Sequence, residues 1–444
     1  MQGGYSSAGV YPREGSAVAI DKEVVAALDS RTLGPEHKGL PPAAWGRTVR
    51  EFLATAPHLA DLVTPVFTID RAAVANNVAV YADWTRANGV RLAPHGKTTM
   101  APQLWAQQLD AGAWGIALAT PWQVQVARSF GVRRVLLANA LVDPVGLRWV
   151  AAESARDPEF EFVSWVDSVD TVRWMDQHLG DTSSRVRVLV ELGGPHGRTG
   201  ARSVESALEV AGAVTESARL ELAGIAGYEG ALGHDRGTAA IDTIRHYLGE
   251  MARLHRELAA RGWYGAAAVV TAGGSSYPDL VVQGLAELAD EEGAQGVPTT
   301  VVLRSGAYII HDDGFYAGIS PLAGRLRSAM HGWARTVSRP EPELALLDAG
   351  KRDFPFDEGL PAPQLLVGAG TAGLNPAATV SALNDQHTFL RLPGGDAADV
   401  PIGSVLRLGL SHPCTAFDKW RLIPVIDDAS AADPRVVDLV HTFF

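Results

Sequence analysis

The sequence of 444 residues contains a single cysteine, Cys414, and the shortage of cysteine limits the classes of protein to which the chain can belong. One cysteine cannot form a disulfide within the chain, so a disulfide-stabilised secreted scaffold is excluded. Long apolar runs are also absent. The sequence has no stretch of 18 or more apolar residues, the length that predicts a membrane-spanning helix. The first residues lack a basic segment followed by an apolar one. We therefore expect no secretory signal and a cytoplasmic protein without a membrane partner.

The chain also has few positive charges. It contains 38 Lys and Arg residues and 50 Asp and Glu residues, which gives a net charge of −12. A nucleic-acid-binding protein usually carries a basic patch, so this balance argues against a nucleic-acid partner. Hydrophobic residues make up 47% and charged residues 20% of the chain, as in ordinary globular proteins. The length favours two domains, or one barrel-sized domain with a smaller one.

Residues 64–310 alternate short apolar runs with helix-compatible segments. Near-continuous apolar strands that alternate with helices are typical of a parallel sheet covered on both faces. Eight runs from residue 90 onward predict a (β/α)8 TIM-type barrel rather than an open sheet. The runs are VRLAP (90–94), WGIALA (114–119), RVLLAN (134–139), FEFVSWV (160–166), RVRVLVEL (185–192), LAGIAGY (222–228), AAAVVTA (266–272) and TTVVLRS (299–305).

The two ends of the chain have residue patterns that differ from the pattern of residues 64–310. Residues 311–444 contain short apolar segments separated by Pro, Gly and Asp, which predicts a C-terminal antiparallel β domain. Residues 1–63 are mixed, and we interpret them as an N-terminal arm that packs on the β domain. A Gly-x-Gly-x-x-Gly pattern occurs at Gly368, Gly370 and Gly373, but Pro376 would break the helix that a dinucleotide site needs. We assign these glycines to a turn without a cofactor.

Polar and glycine-rich loops follow each predicted barrel strand, where TIM barrels place their chemistry. Lys97, in PHGKTTM (94–100), directly follows the first strand. It is either a surface lysine or a desolvated amine that serves as a nucleophile or base. The loop TAGGSSYPDL (271–280) follows the seventh strand, and it is either a plain turn or a phosphate site built from backbone amides.

The lone cysteine lies two positions after a histidine in LSHPCTAFDKW (410–420). In an extended chain, residues i and i+2 point to the same side, so His412 and Cys414 would face one space. Imidazole and thiolate are ligands of the kind that zinc prefers. The alternative is a buried thiol beside an unrelated histidine.

PHGKTTM and SHPCTAFDKW, together with the glycine loop, resemble the fold type III pyridoxal-phosphate enzymes with an alanine-racemase-like barrel. Within this group the chain is similar to the D-serine dehydratase and D-threonine aldolase branch, from about TPVFTID (64–70) to residue 420. The resemblance implies pyridoxal 5'-phosphate as cofactor and a homodimer, and it implies that TPVFTID lies beside the C-terminal β domain. It also implies a role for each matching residue: Lys97 as Schiff-base lysine and general base, Gly273, Gly274 and Ser275 at the cofactor phosphate, and Arg198 and Tyr228 along its ring.

The metal ligands distinguish the two types within the branch. The dehydratase type resembles this chain in offering a zinc-like pair at His412 and Cys414. The aldolase type usually has Asp where Cys414 stands, which suits a harder ion such as Mn2+. The resemblance therefore implies dehydration of D-serine or another D-β-hydroxy amino acid to pyruvate and ammonia, with Zn2+ assisting loss of the β-hydroxyl.

Several alternatives stay open. The first is aldolase-type cleavage of D-threonine to glycine and an aldehyde, which the same residues would serve. The others are a non-catalytic barrel that binds pyridoxal phosphate and a barrel enzyme without a cofactor. The part played by three histidines is open as well, whereas three charged residues of predicted β-domain turns are interpreted as structural. The histidines are His95, His196 and His311, and the charged residues are Asp348, Lys351 and Asp418.

Overall fold

The computed structural model describes residues 19–180, 185–195, 197–289, 296–367, 374–394 and 400–444. His196 and the three glycines Gly368, Gly370 and Gly373 lie outside these residues. The chain divides into two compact units. The barrel unit contains residues 19–21, Trp84–Pro94 and Gly112–Ser305, and the sheet unit contains Lys22–Asp83, His95–Ala111 and Gly306–Phe444.

The strands and helices have the following bounds along the chain. The strands are β1 (Val66–Asp70), β2 (Arg91–Leu92), β3 (Ile116–Leu118), β4 (Arg134–Ala140), β5 (Glu161–Val166), β6 (Val186–Leu192), β7 (Leu220–Gly227), β8 (Ala268–Ala272), β9 (Thr299–Leu303), β10 (Met330–Glu341), β11 (Leu344–Leu347), β12 (Ala362–Leu366), β13 (Thr379–Leu383), β14 (Thr388–Arg391), β15 (Val405–Gly409), β16 (Leu422–Ile426) and β17 (Val436–His441). The helices are α1 (Lys22–Ala26), α2 (Val49–Leu53), α3 (Arg71–Ala87), α4 (Pro102–Asp110), α5 (Pro121–Ser129), α6 (Pro144–Arg156), α7 (Val169–His178), α8 (Val204–Glu216), α9 (Thr238–Ala260), α10 (Pro278–Leu285) and α11 (Phe315–Ile319). None of the described helices combines the length and the apolar character that crossing a membrane requires.

The barrel unit is built on eight parallel strands in the order β2-β9-β8-β7-β6-β5-β4-β3. The backbone N–H of Trp114 donates to the carbonyl of Leu92 at 2.7 Å, and that of Ala117 donates to Pro94 at 2.8 Å. These two bonds join the chain around β2 to β3, so the sheet closes on itself. All eight predicted strands are present, and the predicted (β/α)8 barrel is confirmed.

The barrel strands read as apolar runs because they are buried on both faces. Small and branched side chains fill the interior. Helix starts are set by polar caps: Thr120 and Ser168, for example, each accept the backbone N–H three residues on. Gly224 is required where β7 approaches β8, because it has a φ of +144° and a Cβ there would lie 1.9 Å from the carbonyl oxygen of Val269. Interior residues include Ala93, Ala117, Leu136, Val163, Leu189, Ala223, Val269 and Val302.

The sheet unit contains β1 and β10–β17, mostly in antiparallel pairs. Strand β1 pairs with β10 in antiparallel and with β16 in parallel fashion, so the expected place of TPVFTID beside the C-terminal domain is confirmed. Strand β10 also pairs with β15, the strand that precedes His412. One apolar core joins this sheet to the segment before β1. Its members include Leu33, Val49, Phe52, Leu59, Leu62, Val66, Trp333, Leu422 and Leu439.

Candidate active site

Lys97 lies on a 3-10 turn, Gly96–Thr98, in the sheet unit. The turn is fixed by the carbonyl of Gly96, which accepts the backbone N–H of Met100 at 2.8 Å and the indole N–H of Trp105 at 3.2 Å. Gly306 packs so closely against this turn that a Cβ would lie 2.7 Å from Thr98 Oγ1. Lys97 itself is partly exposed, so the turn presents its amine to the surroundings from a rigid base.

His412 and Cys414 also lie in the sheet unit, just after β15. His412 is extended, with φ −159° and ψ 118°, whereas Cys414 belongs to a 3-10 turn, Pro413–Thr415. The expectation that an extended chain makes the two residues face one space is therefore wrong in its geometry. The side chains nevertheless meet, because the turn carries Cys414 back to within hydrogen-bonding reach of the His412 ring.

Three side chains surround this pair of donors. Asp357 Oδ2 lies 2.8 Å from His412 Nδ1, and Asp357 Oδ1 accepts the hydroxyl of Thr415 at 2.6 Å. Thr98 Oγ1 lies 3.4 Å from Cys414 Sγ. Thr98 is the residue after Lys97, so the lysine turn and the donor pair are in direct contact within the sheet unit.

The neighbours of the donor pair set its charge. Burial alone would lower the pKa of His412, but Cys414 and Asp357 outweigh it and raise that pKa to about 9. Burial alone would raise the pKa of the Cys414 thiol, but His412 lowers it, with help from Thr98 and Lys97. These shifts favour imidazolium and thiolate, of which the thiolate is already the form that binds metal, whereas the imidazolium would have to give up a proton to become a ligand.

Two more titratable residues lie in the loop before α11. Asp312 is 1% exposed, and Oδ1 accepts the backbone N–H of Gly314 and Tyr316 at 2.9 and 3.0 Å. Burial raises the pKa of Asp312 to about 7, against the opposing effects of these N–H groups and of His412. His311 is also buried and has a left-handed φ of 43°. Burial lowers its pKa.

The three charged residues interpreted as structural lie at turns of the sheet unit. Asp348 accepts the hydroxyl of Thr64 and the backbone N–H of Arg335, each at 2.7 Å, which ties β1 to the β10–β11 hairpin. Lys351 Nζ lies 5.5 Å from the ring centroid of Phe356. Asp418 lies in the 3-10 turn Phe417–Lys419.

In the barrel unit, the glycine loop directly follows β8. Gly273 has a φ of +112°, and a Cβ there would lie 2.5 Å from Leu303 Cδ1. A Cβ on Gly274 would lie 3.0 Å from the ring of Tyr228. The carbonyl of Gly274 accepts the hydroxyl of Ser305 at 2.7 Å. The loop therefore holds its backbone close to Tyr228, as only glycine allows.

Arg198 and Tyr228 are brought together in the same unit. The Arg198 guanidinium carbon lies 4.9 Å from the centroid of the Tyr228 ring. The backbone N–H of Tyr228 donates to the hydroxyl of Tyr247, which in turn donates to the carbonyl of Leu192 at 2.6 Å. The predicted ring-lining residues and the predicted phosphate loop thus lie side by side.

A set of buried charges that the sequence patterns do not single out surrounds Glu229, the residue after Tyr228. Glu229 is completely buried and Arg304 is 1% exposed. Burial raises the pKa of Glu229 to about 7, although Arg304 and the backbone N–H groups of Gly273 and Gly274 oppose this. Within the described part of the chain, neither carboxylate oxygen of Glu229 completes a hydrogen bond of normal geometry. Arg304 also donates to the carbonyl of Gly227 and lies 4.7 Å from the centroid of the Trp165 ring.

Comparison with known proteins places the chain among enzymes of one fold. The model "Alanine racemase, N-terminal domain" matches residues 69–276, and the model "Putative serine dehydratase domain" matches residues 329–426. A D-threonine aldolase from Arthrobacter sp is 26% identical over 376 residues, which is 84% of this chain and 92% of that protein. A 3-hydroxy-D-aspartate aldolase from Paracoccus denitrificans is 24% identical over 313 residues, 68% of this chain and 75% of that protein.

Solved structures share the fold. A D-threonine aldolase from Filomicrobium marinum has a TM-score of 0.72 at 23% identity and covers 87% of this chain and 96% of its own. A D-threo-3-hydroxyaspartate dehydratase from Delftia sp. HT23 has a TM-score of 0.65 at 19% identity and covers 86% and 98%.

The barrel with its glycine loop, joined in one chain to a β domain that carries a His–Cys pair, defines an alanine-racemase-like enzyme architecture. The chain belongs to the fold type III family of pyridoxal-phosphate enzymes, in the group whose C-terminal domain is of the serine dehydratase type.

The residues of the barrel unit fit this cofactor. A phosphate requires close approach of the backbone, which the glycines at 273 and 274 allow, although the N–H groups of these two residues are directed at Glu229. The Arg198–Tyr228 stack offers flat surfaces to an aromatic ring. The buried carboxylate of Glu229 lies beside the same loop, close to the N–H groups of Gly273 and Gly274.

The residues of the sheet unit fit a metal with only two protein ligands. Asp357 occupies Nδ1 of His412, which leaves Nε2 and Cys414 Sγ as donors. Nowhere in the described ranges are three His, Cys, Asp or Glu side chains arranged to hold an ion. Such a pair leaves the other coordination positions to water or substrate, as in catalytic rather than structural zinc sites.

Proposed function

We propose that the protein is a pyridoxal-phosphate-dependent lyase of D-β-hydroxy amino acids, and that it dehydrates D-serine to pyruvate and ammonia. One observation carries the proposal: Thr98, next to Lys97, contacts Cys414 at 3.4 Å. A candidate Schiff-base lysine and a candidate metal site therefore lie on adjoining turns. A reaction at Cα that also removes a β-substituent needs both groups close to one substrate.

The choice of dehydratase and of Zn2+ is supported by the donor pair. Imidazole with thiolate suits zinc better than harder ions, with Mn2+ as the second candidate. Among the proteins of this fold, a D-threo-3-hydroxyaspartate dehydratase was solved as a histidine-to-alanine mutant and as a metal-free cysteine-to-alanine mutant. The two substituted residues are two positions apart, as His412 and Cys414 are here.

The roles that we propose follow the chemistry of each side chain. Lys97 would hold the cofactor, and its Nζ would serve as the base that takes the proton from Cα of the substrate. Gly273, Gly274 and Ser275 would hold the cofactor phosphate. Pyridoxal phosphate supplies an electron sink for the electrons left at Cα.

The remaining groups would orient the cofactor ring and the substrate hydroxyl. Arg198 and Tyr228 would line the cofactor ring, and His412 and Cys414 would hold the metal. A metal ion at these two residues supplies a Lewis acid for the β-hydroxyl, which is otherwise a poor leaving group.

We also propose a homodimer. Four large apolar side chains on the barrel unit are exposed by 45–63%, namely Trp122, Val142, Val145 and Trp174. The indole N–H of Trp174 donates to the carbonyl of Val142 at 2.8 Å, so two of them are adjacent. Exposed apolar patches mark interaction surfaces. Light scattering should give the mass of two chains, and Trp174→Lys should shift it towards one chain; a monomeric wild type would contradict this proposal.

Product analysis tests the proposed function. Purified protein with pyridoxal phosphate is incubated with D-serine and D-threonine, and with their L-isomers as controls. Pyruvate and ammonia are expected from D-serine and not from L-serine. Glycine and acetaldehyde from D-threonine would instead favour the second candidate, a D-threonine aldolase, to which the Arthrobacter relative points. Pyridoxal phosphate bound without turnover of any substrate would contradict both.

A further inference from the structure

Asp357 lies far from His412 and Cys414 in the sequence, but its side chain contacts the residues on both sides of Cys414. It is located between β11 and β12, 55 positions before His412. One carboxylate oxygen lies 2.8 Å from His412 Nδ1, and the other accepts the hydroxyl of Thr415 at 2.6 Å. Both oxygens are thus used, one on each side of Cys414.

The contact with His412 decides which ring nitrogen can bind a metal. An imidazole ring has two nitrogens, and a neutral ring carries its proton on one of them. A carboxylate beside Nδ1 favours the tautomer with the proton on Nδ1, so that the lone pair is on Nε2. Without Asp357, the ring could turn or change tautomer, and the metal would bind only the fraction of molecules in the right state.

The contact with Thr415 acts on the other ligand. Cys414 is held in the 3-10 turn Pro413–Thr415, and Asp357 anchors the last residue of that turn. The same carboxylate therefore sets the orientation of the imidazole and the position of the thiolate. A partly exposed ion pair adds little to the stability of a fold, and the Asp357 side chain is 39% exposed, so stabilising the fold does not explain this arrangement.

We infer that Asp357 is the positioning residue of the metal site, a carboxylate that holds His412 with Nε2 directed to the ion and fixes the turn that carries Cys414. This inference rests on the proposed function, because it presupposes a metal at His412 and Cys414. Carboxylates that hold a metal-ligating histidine in this way typically contribute about 10–100-fold to metal affinity.

A matched control exists elsewhere in the sheet unit. His58 Nδ1 lies 2.9 Å from Asp433 Oδ2, which is nearly the same contact on an exposed surface. The chain's only cysteine lies at 414, so the control pair has no thiolate beside it in the sequence. Asp433→Ala therefore removes a His–Asp contact without touching the proposed site.

The experiment measures zinc affinity of the protein with bound pyridoxal phosphate, by competition with a chromophoric chelator. Asp357→Ala is expected to weaken Zn2+ binding about 10–100-fold. Asp357→Asn keeps an acceptor for Nδ1–H without the charge, so its loss should be smaller, and Asp433→Ala should bind as the wild type. Circular dichroism should show the same fold for all. Equal zinc affinity in Asp357→Ala and wild type would overturn the inference.

Two further results separate this inference from the proposed function. Thr415→Val removes only the second contact, so a smaller loss of zinc affinity is expected even if Asp357→Ala were to fold poorly. Equal affinity in that variant would overturn the anchoring of the turn. If His412→Ala binds Zn2+ as tightly as the wild type, the proposed metal site itself is wrong, whatever Asp357 does.

Discussion

The sheet that leads to the His412 loop should lose stability in acid because of one buried histidine. His331 lies in β10 between β1 and β15 and is 5% exposed. Burial lowers its pKa from 6.5 to about 3, and the nearby Arg407 acts in the same direction, while Gln364 opposes them. The folded imidazole stays neutral until near pH 3, whereas the unfolded one takes up a proton below about pH 6.5. Protonation of His331 in the unfolded chain therefore costs no stability above about pH 6.5, and it lowers the free energy of unfolding increasingly as the pH falls below that value.

The size of the effect follows from linkage. At pH 5 the unfolded chain gains about 2 kcal/mol from protonating His331, and at pH 8 it gains almost nothing. Because the folded pKa lies well below 5, a one-unit change in it hardly alters this figure.

Unfolding by denaturant at pH 8 and at pH 5 measures how much the free energy of unfolding falls between these two pH values. His331→Leu should reduce the loss of unfolding free energy between these pH values by about 2 kcal/mol. The remaining acid sensitivity should include His441, whose pKa burial lowers to about 4. His387→Leu, at an exposed turn, serves as the control and should leave the pH dependence unchanged. The same pH dependence in His331→Leu and in the wild type would show that protonation of His331 does not cause the acid sensitivity.

Three further predictions concern the candidate site. Lys97→Ala should replace the near-ultraviolet to violet absorbance of lysine-bound cofactor by that of the free aldehyde and lower turnover by about 10²–10⁴-fold; unchanged absorbance would exclude Lys97 as the attachment point. Gly274→Ala should weaken pyridoxal-phosphate binding about tenfold, since the added Cβ lies 3.0 Å from the Tyr228 ring and repacking costs about 1–3 kcal/mol. Its control is Gly249→Ala, where a Cβ meets no atom within 4 Å, and equal binding by both variants would contradict the prediction. Cys414→Asp should shift metal preference from Zn2+ towards Mn2+ in a binding titration, and an unchanged preference would show that Cys414 is not a ligand.

The barrel was predictable because its rules are local. A strand buried on both faces is a continuous apolar run, and eight such runs separated by helical segments leave few alternatives. The place of β1 beside the C-terminal domain was a different case. It followed from the family resemblance, because no residue within TPVFTID indicates that its partners lie more than 250 positions away, as the contact of Trp333 with Thr68 across 265 positions shows.

The surroundings of the candidate site could not be predicted in the same way. Asp357 and His412 are 55 positions apart, and Thr98 and Cys414 are 316 positions apart. Nothing in either local sequence indicates these contacts. The side-by-side placement of His412 and Cys414 was expected from an extended chain, but a turn that begins at Pro413 produces it.

The sequence contains a signal for the buried charges. Arg304 directly follows the apolar strand β9, and Glu229 lies two residues after β7. A charge at the carboxyl end of a barrel strand is costly to bury without a partner, so it predicts an opposite charge near the carboxyl end of another strand of the same barrel. That rule would have paired Glu229 with Arg304, and it would have added Glu191, which lies in β6 and whose pKa burial also raises.

The central claim is that a metal at His412 and Cys414 assists a pyridoxal-phosphate reaction on a D-β-hydroxy amino acid. Its most direct test is pyruvate formation from D-serine by the protein with bound cofactor, before chelation, after chelation and after addition of Zn2+. Pyruvate formation should be lost with the chelator and restored by zinc, and zinc should not restore it in His412→Ala. Pyruvate formation that is indifferent to the chelator would contradict it and would mean that His412 and Cys414 are only packed against each other.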